Sequence, residues 1–216
     1  MQSVNKKIRI LLVDDHAVVR AGYQMLLEQS DKLEIVAEAS SGEQASKLFT
    51  DVDPDIVVMD LSLPGISGLE AIRRIIRKDP NAKVLVFTMH EDTVFVDQAL
   101  RAGARGYLSK SSAPKTLIKA IEEIARGGVY IDDRLVQHLA FQKARDEIGP
   151  FSSLSTREFE IFCLLAEGLN TNEIAARLSI GYKTVANYSS QIKNKLQVNT
   201  TAELARLAIR HNILQA

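Results

Sequence analysis

The first half of the chain alternates short apolar runs with longer stretches in which apolar residues recur every three or four positions. Short runs rich in Val, Ile and Leu are typical of strands buried on both faces, and the longer stretches are typical of amphipathic helices. The runs predict five strands, at 8–13, 34–39, 56–59, 83–87 and 106–108. Helices are predicted to alternate with them, at 17–29, 42–50, 68–78, 94–102 and 114–126. This order predicts an α/β fold of the (βα)5 type, a doubly wound parallel sheet.

After residue 128 the periodicity weakens, and a second, all-helical pattern follows. We interpret the weak stretch, which Gly149-Pro150 interrupts, as a linker with one short helix at 135–143. Beyond it, Ser155 with Glu158, and Asn170 with Glu173, match the capping boxes that mark helix starts. Four helices are predicted there, at 156–167, 171–178, 182–196 and 201–211. The pattern therefore predicts a first domain at 1–128, a linker at 129–150 and a second, all-α domain at 151–216.

The composition is that of an ordinary globular protein, with 46% hydrophobic residues and 27 Lys and Arg balancing 27 Asp and Glu. No apolar run reaches the about 20 residues that a bilayer crossing needs, so we expect a cytoplasmic protein without a membrane partner. The balanced charge argues against a chain coated for nonspecific nucleic-acid binding. The single cysteine, Cys163, lies in a predicted helix and is interpreted as core packing, since no internal disulfide can form.

Acidic residues follow the predicted strands at the edge where parallel strands end. Asp14 and Asp15 follow the first strand and Asp60 follows the third, while Thr88 ends the fourth and Lys110 follows the fifth. Ligands bind at this edge of a doubly wound sheet. Three adjacent carboxylates repel one another unless a cation joins them, and Mg²⁺ prefers such oxygen ligands. The sequence therefore predicts a Mg²⁺ site, with Lys110 and Thr88 available to a phosphoryl group.

Four motifs at these strand ends together resemble a response-regulator receiver domain, over residue 8 to about residue 126. They are VDDH at 13–16, MDLSLPGISG at 59–68, FTMH at 87–90 and GYLSK at 106–110. The resemblance implies that Asp60 is the phosphoacceptor, and that Thr88 and Tyr107 are switch residues that move toward the phosphoryl group. It further implies Mg²⁺ held by Asp14, Asp15, Asp60 and the carbonyl of Ser62.

Other interpretations of these residues stay open. An acid after a strand commonly caps a helix, so Asp15 or Asp60 taken alone indicates little. His16 and His90 suggest a transition-metal site, although no third ligand has suitable spacing. A nucleotide-binding site is disfavoured, because no glycine-rich phosphate loop follows a strand.

The second domain contains a short helix at 173–178, a tight break at 179–181 and a longer helix at 182–196, which is helix-turn-helix geometry. In the longer helix Val185, Ile192 and Leu196 form a buried stripe, with Ser189 close to it. The outward residues are polar and rich in amides, which suits hydrogen bonds to base edges and phosphates: Lys183, Thr184, Asn187, Ser190, Gln191 and Asn194. A generic exposed helix has a similar face.

The motifs LSTREFEIFCLLAEG at 154–168, NEIAARLSI at 172–180 and KTVANYSSQIKNKL at 183–196 resemble a LuxR-type output domain. With the receiver, they indicate the NarL/FixJ family of response regulators. The family often carries Lys and His where this chain has Ala186 and Tyr188, and commoner Ser and Asn where it has Gly181 and Thr171. The resemblance implies binding to double-stranded DNA through Lys183, Thr184, Asn187, Tyr188, Ser190, Gln191, Lys193, Asn194 and Lys195.

The resemblance also implies partners and a mechanism. A sensor histidine kinase or a small phosphodonor phosphorylates Asp60, and the receiver, which at rest covers part of 182–196, then releases the output domain. A homodimer forms through Ala202, Ala205 and Ile209, although these residues are equally consistent with interior packing. RNA polymerase is a candidate partner, and no separate enzymatic activity is expected. The alternative is a phosphate sink or docking adaptor whose helical domain binds protein.

Overall fold

The computed structural model describes residues 6–144 and 149–214. A parallel sheet lies at the centre of the first domain, with six strands in the order β2-β1-β3-β4-β5-β6. The strands are β1 Ile8–Val13, β2 Leu33–Ala39, β3 Ile56–Met59, β4 Val84–Thr88, β5 Gly106–Ser109 and β6 Tyr130–Ile131. The first five strands confirm the predicted ones to within a residue at each end. β6 was not predicted, because two residues carry no periodic pattern.

Side chains alternate between the two faces along each strand, so both faces of the sheet are apolar. Five helices cover these two faces. In β1, Leu11 and Val13 join one apolar cluster, and Ile10 and Leu12 join the other. The first cluster packs under α2, α3 and α4, and the second under α1 and α5. The helices are α1 Ala17–Leu27, α2 Gly42–Val52, α3 Gly68–Lys78, α4 Thr93–Ala102 and α5 Pro114–Ala125. The predicted doubly wound architecture is confirmed.

The segment predicted as a linker contains regular structure. After β6, which pairs with β5, the chain forms α6 Asp133–Ala144, where a short helix was predicted. A 3₁₀ turn at Pro150–Ser153 leads into the second domain, and its Phe151 is buried. Parts of the predicted segments, residues 1–5, 145–148 and 215–216, lie outside the described residues.

The second domain contains the four predicted helices: α7 Thr156–Ala166, α8 Thr171–Leu178, α9 Tyr182–Leu196 and α10 Thr201–Arg210. Ser155 with Glu158, and Asn170 with Glu173, form the predicted capping boxes. Ser179, in the left-handed region at φ 52°, turns the chain between α8 and α9. Val185 and Ile192 are fully buried, so the predicted inner stripe of α9 is confirmed.

The first domain contacts the second mainly through α3 and α4, which both pack against α7. The ring of Phe95 in α4 meets the ring of Phe159 in α7 edge to face, with centroids 5.3 Å apart. Within the described ranges, none of the helices has the length and apolar composition needed to span a bilayer.

Candidate functional site

The candidate site is built where the parallel strands end. The backbone ladder continues one residue past β3 and β5, since Asp60 N donates to Val13 O (3.0 Å) and Lys110 N donates to Thr88 O (2.8 Å). The sheet therefore holds these residues at one edge, as the order of strands predicted.

Lys110 bridges two buried carboxylates at this edge. Its Nζ lies 2.7 Å from Asp14 Oδ2 and 2.6 Å from Asp60 Oδ2. The three side chains are between 3% and 8% exposed. Burial by itself acts to lower the pKa of Lys110, but the hydrogen bonds to the two carboxylates outweigh it and raise the pKa. Lys110 is therefore a fixed positive charge beside Asp60.

Asp15 completes the acidic group on the open side of the site. Ligand atoms of Asp14, Asp15 and His16 lie within 4.8 Å of one another. Among the described residues Asp15 Oδ1 accepts no hydrogen bond, although His16 Nδ1 lies 2.7 Å away. Lys110 thus pairs with two carboxylates, and the adjacent Asp15 adds a third whose buried Oδ1 accepts no hydrogen bond from the described residues. Surplus negative charge on hard oxygen ligands fits a divalent cation such as Mg²⁺.

Thr88 and Tyr107, the two predicted switch residues, are fully buried on the neighbouring strands β4 and β5. The Thr88 hydroxyl has no hydrogen-bond partner among the residues that the structure describes. Tyr107 OH donates to the carbonyl of His90 at 2.8 Å. Burial, reinforced by the Asp60 carboxylate, raises the pKa of Tyr107, so its hydroxyl stays protonated.

His90 connects the acidic site with the second domain, which the sequence did not indicate. Its Nε2 lies 3.0 Å from Ser62 Oγ, and its ring stacks on Phe95 with centroids 4.1 Å apart. Burial lowers the pKa of His90, with a smaller opposing effect from Asp60. The two histidines considered as metal ligands thus contact different residues. His90 contacts Ser62 and Phe95, whereas His16 contacts Asp15.

Gly68 is a second residue whose role the sequence did not reveal. A Cβ atom on Gly68 would lie 2.1 Å from the carbonyl oxygen of Asp60. Only glycine therefore lets α3 begin so close to the backbone of Asp60. The motif MDLSLPGISG contains the glycine, but only the structure shows what it contacts.

The predicted outward face of α9 is open to solvent. Its six polar residues are all exposed: Lys183, Thr184, Asn187, Ser190, Gln191 and Asn194. The expectation that the receiver covers part of 182–196 is wrong for these residues, because the receiver packs on α7 instead.

Two of the remaining residues predicted to contact DNA have partners inside the domain. Lys195 Nζ lies 2.7 Å from Glu158 Oε2, whose side chain is 5% exposed, and 3.1 Å from Ser153 O. Tyr188 is partly buried against the core, and Lys193 is also partly buried. The structure gives Lys195 an ion pair that sequence spacing did not predict.

The three residues predicted at a dimer surface lie on the outer side of α10. Leu204 and Ala208 point inward and are fully buried. Ile209 is 43% exposed and Ala202 is exposed, whereas Ala205 is partly buried. Ile209 is thus not an interior packing residue.

Two family models match this chain. The model of the response regulator receiver domain matches residues 10–122, and that of the bacterial regulatory proteins of the luxR family matches residues 152–208. The chain is 40% identical over 211 residues to the response regulator UvrY of Escherichia coli K12, covering 97% of each protein. It is 37% identical to the response regulator GacA of Pseudomonas aeruginosa, covering 97% of this chain and 99% of GacA.

Solved structures agree with these matches. A LuxR-family two-component response regulator from Aurantimonas sp. SI85-9A1 is 44% identical, with a TM-score of 0.63 over 64% of this chain and 99% of that one. RcsB from Salmonella enterica serovar Typhimurium, bound to promoter rprA in the presence of the phosphomimetic BeF₃⁻, is 25% identical. It superposes with a TM-score of 0.74 over 94% of this chain and 98% of its own.

Proposed function

This chain belongs to the response regulators that join a receiver domain to a LuxR-type DNA-binding domain, and we propose that phosphorylation of Asp60 controls how it binds DNA. The chain regulates transcription as the output component of a two-component system. The observation that carries the proposed site is the bridge from Lys110 to Asp14 and Asp60, which sets a charged, oriented carboxylate at the ligand edge of the sheet.

In the proposed reaction one carboxylate oxygen of Asp60 attacks the phosphorus atom of the donor. The bond between phosphorus and the donor breaks, and its electron pair leaves with the donor group. Mg²⁺ bound by Asp14, Asp15, Asp60 and the Ser62 carbonyl would neutralise charge on the phosphoryl oxygens. Lys110 supplies a second positive charge, already held 2.6 Å from Asp60 Oδ2.

Thr88 is the proposed sensor of the new group. Its buried hydroxyl lacks a partner among the described residues, so a hydrogen bond to a phosphoryl oxygen would satisfy a donor that is otherwise costly to bury. Tyr107 lies on the next strand, opposite Val86 and two positions along from Thr88, and is proposed to follow the movement of Thr88. Phosphorylation then shifts an existing equilibrium between two conformations.

Binding to double-stranded DNA is proposed for the outward face of α9, where Lys183, Asn187 and Gln191 follow one another at four-residue intervals. Basic groups such as Lys193 supply the salt-dependent part of the affinity. A homodimer through Ala202, Ala205 and Ile209 would match a two-fold operator. The fold shared with RcsB bound to promoter rprA, at a TM-score of 0.74 over 94% of this chain, supports the proposed DNA binding.

Three segments of the chain are proposed to have distinct roles, with partners and a location that follow from them. Residues 1–128 form the receiver, 129–150 connect it and 151–216 bind DNA. A sensor histidine kinase or small phosphodonor supplies the phosphoryl group, and RNA polymerase is a further partner at promoters. Because chromosomal DNA is the proposed ligand, the chain works in the cytoplasm. No separate enzymatic reaction is proposed beyond transfer to Asp60 and its hydrolysis.

The experiment is retention of genomic duplex fragments by the full chain with and without acetyl phosphate and Mg²⁺. We expect phosphodonor to increase retention at least tenfold for the parent chain and to leave the Asp60→Ala variant unchanged. Retention should fall with rising salt. If no duplex is retained while a protein partner is captured through α7–α10, the adaptor alternative replaces this proposal.

A further inference from the structure

The receiver is docked on α7 through an apolar contact and a polar contact. In the apolar part, Phe95 meets Phe159 edge to face at 5.3 Å, and these rings are 6% and 0% exposed. Beside them, the side-chain amide of Gln98 donates to Leu154 O at 3.3 Å. Separating the domains would break this ring contact, although Phe159 would keep its contacts with Phe151 and Phe162.

The polar part of the contact is a buried ion-pair network. Ser67 Oγ in the receiver donates to Glu160 Oε1 at 2.6 Å, and Arg157 Nη1 lies 2.5 Å from Glu160 Oε2. Arg157 also lies 3.9 Å from Glu70 of the receiver, which is 7% exposed. Separation would remove the Ser67 hydroxyl from Glu160 and leave Glu70 without this neighbour. Both the polar network and the apolar contact therefore oppose separation of the domains.

Neither part of this contact lies over the surfaces that the second domain needs. The outward residues of α9 are exposed while the receiver is docked, and Tyr182 at its first turn is 55% exposed. Ile209 on α10 is 43% exposed at the same time. The docked chain thus already presents both its recognition helix and its proposed dimer helix.

We infer that the receiver stays docked on α7 when the chain binds DNA, so that phosphorylation promotes the pairing of two docked chains and does not uncover the recognition helix. This inference rests on the proposed function. Opening would cost the buried aromatic contact and the ion-pair network, whereas the six outward polar residues of α9 are already exposed without it. The path through Ser62, His90 and Phe95 connects the acidic site to the docking surface without requiring separation.

Cys163 is a natural reporter of this docking. It is the only cysteine in the sequence, and it lies on α7 facing a cleft of about 460 Å³ between α7 and the receiver loop after Asp60. Leu61 and Leu63 line the receiver side of the same cleft. Burial raises the pKa of the Cys163 thiol, which slows its reaction with electrophiles. Cys163 is partly exposed in the docked chain, so separation of the domains would uncover it further and accelerate labelling.

The test measures the rate of maleimide labelling of Cys163 in the full chain at rest, with acetyl phosphate and Mg²⁺, and with a saturating duplex. The duplex is one selected from a random-sequence pool by the phosphodonor-treated chain. We expect the rate in the phosphorylated, duplex-bound chain to stay within threefold of the resting rate. An acceleration of more than threefold would mean that the domains separate, and it would overturn the inference.

Two variants establish that the reporter responds to opening. Phe95→Asp places a charge against Phe159, and Arg157→Glu opposes Glu160 and Glu70 from within the polar network. Each variant that keeps the parent's circular dichroism spectrum should label at least tenfold faster. Labelling at the parent rate in both would refute the assigned docking surface. If selection instead yields no duplex at all, the proposed DNA binding fails, and this result differs from accelerated labelling of a bound chain.

Discussion

Replacing Lys110 by Met tests the charge arrangement at the acidic site. The substitution keeps a long apolar stem and removes the ammonium group that lies 2.7 Å from Asp14 and 2.6 Å from Asp60. Both carboxylates are at most 4% exposed, so water can replace little of the lost interaction. We therefore expect the receiver to lose stability although its core packing is unchanged.

The magnitude follows from the burial of the three groups. Removing one partner of a buried ion pair costs about 3–5 kcal/mol, because an uncompensated charge stays in the protein. Lys32→Met is the matched control, since Lys32 is 57% exposed and pairs with Glu122 at 3.3 Å on the surface. Exposed pairs contribute at most about 1 kcal/mol. The two lysine variants should thus differ by at least about 2 kcal/mol.

The assay is urea unfolding of the parent, Lys110→Met, Lys32→Met and the double variant Asp60→Asn/Lys110→Met, in chelator and then in Mg²⁺. The double variant should recover part of the loss, because it leaves one buried carboxylate without a cation where Lys110→Met leaves two. Mg²⁺ should stabilise Lys110→Met more than Lys32→Met. If Lys110→Met were as stable as Lys32→Met in chelator, the buried charge bridge would not exist and the reasoning would fail.

Three further outcomes are expected. Thr88→Val should leave stability unchanged or raise it by about 1 kcal/mol, since it removes a buried hydroxyl to which no described residue is hydrogen-bonded. Phosphodonor-dependent DNA binding should be lost, and preserved switching in a gel-shift titration would argue against Thr88 as sensor. Burial acts to raise the pKa of Glu158, but hydrogen bonds from Lys195 and Ser155 outweigh it and lower the pKa. The second domain should therefore lose stability as the pH falls below the ordinary pKa of a glutamate. Glu158→Gln should flatten this dependence in thermal unfolding. Ile209→Lys should abolish dimers in sedimentation without unfolding the domain, and intact Ile209→Lys dimers would exclude this surface. Leu204→Ala, at a fully buried position, should instead lower the free energy of unfolding by about 2–5 kcal/mol.

The periodicity of the chain was sufficient to predict nearly every element of the fold. Strands buried on both faces are uninterrupted apolar runs, and helix starts carry local capping signals such as Ser155 with Glu158, so both are visible in sequence. β6 was missed because a two-residue strand depends on its neighbour β5 and not on its own pattern. The acidic residues of the site were predictable because the carboxyl ends of parallel strands converge.

The contacts between distant segments were not predictable. Nothing local marks Glu160 as a partner of Ser67, 93 positions away in sequence, or Lys195 as the partner of Glu158. Both acids lie on α7; the sequence marks Glu158 only as a helix-capping residue, and it leaves Glu160 indistinguishable from a solvated helix charge. The prediction that the receiver covers the α9 face had the same weakness. It came from the family resemblance and not from the residues that form the contact between the two domains.

The most direct test is to find which residue accepts the phosphoryl group. The full chain is treated with acetyl phosphate and Mg²⁺, the acyl phosphate is reduced with borohydride, and the modified residue is located by peptide mass spectrometry. The account predicts modification at Asp60 and none in the Asp60→Ala variant. Modification of Asp14 or Asp15 instead, or equal labelling of Asp60→Ala and the parent, would contradict it.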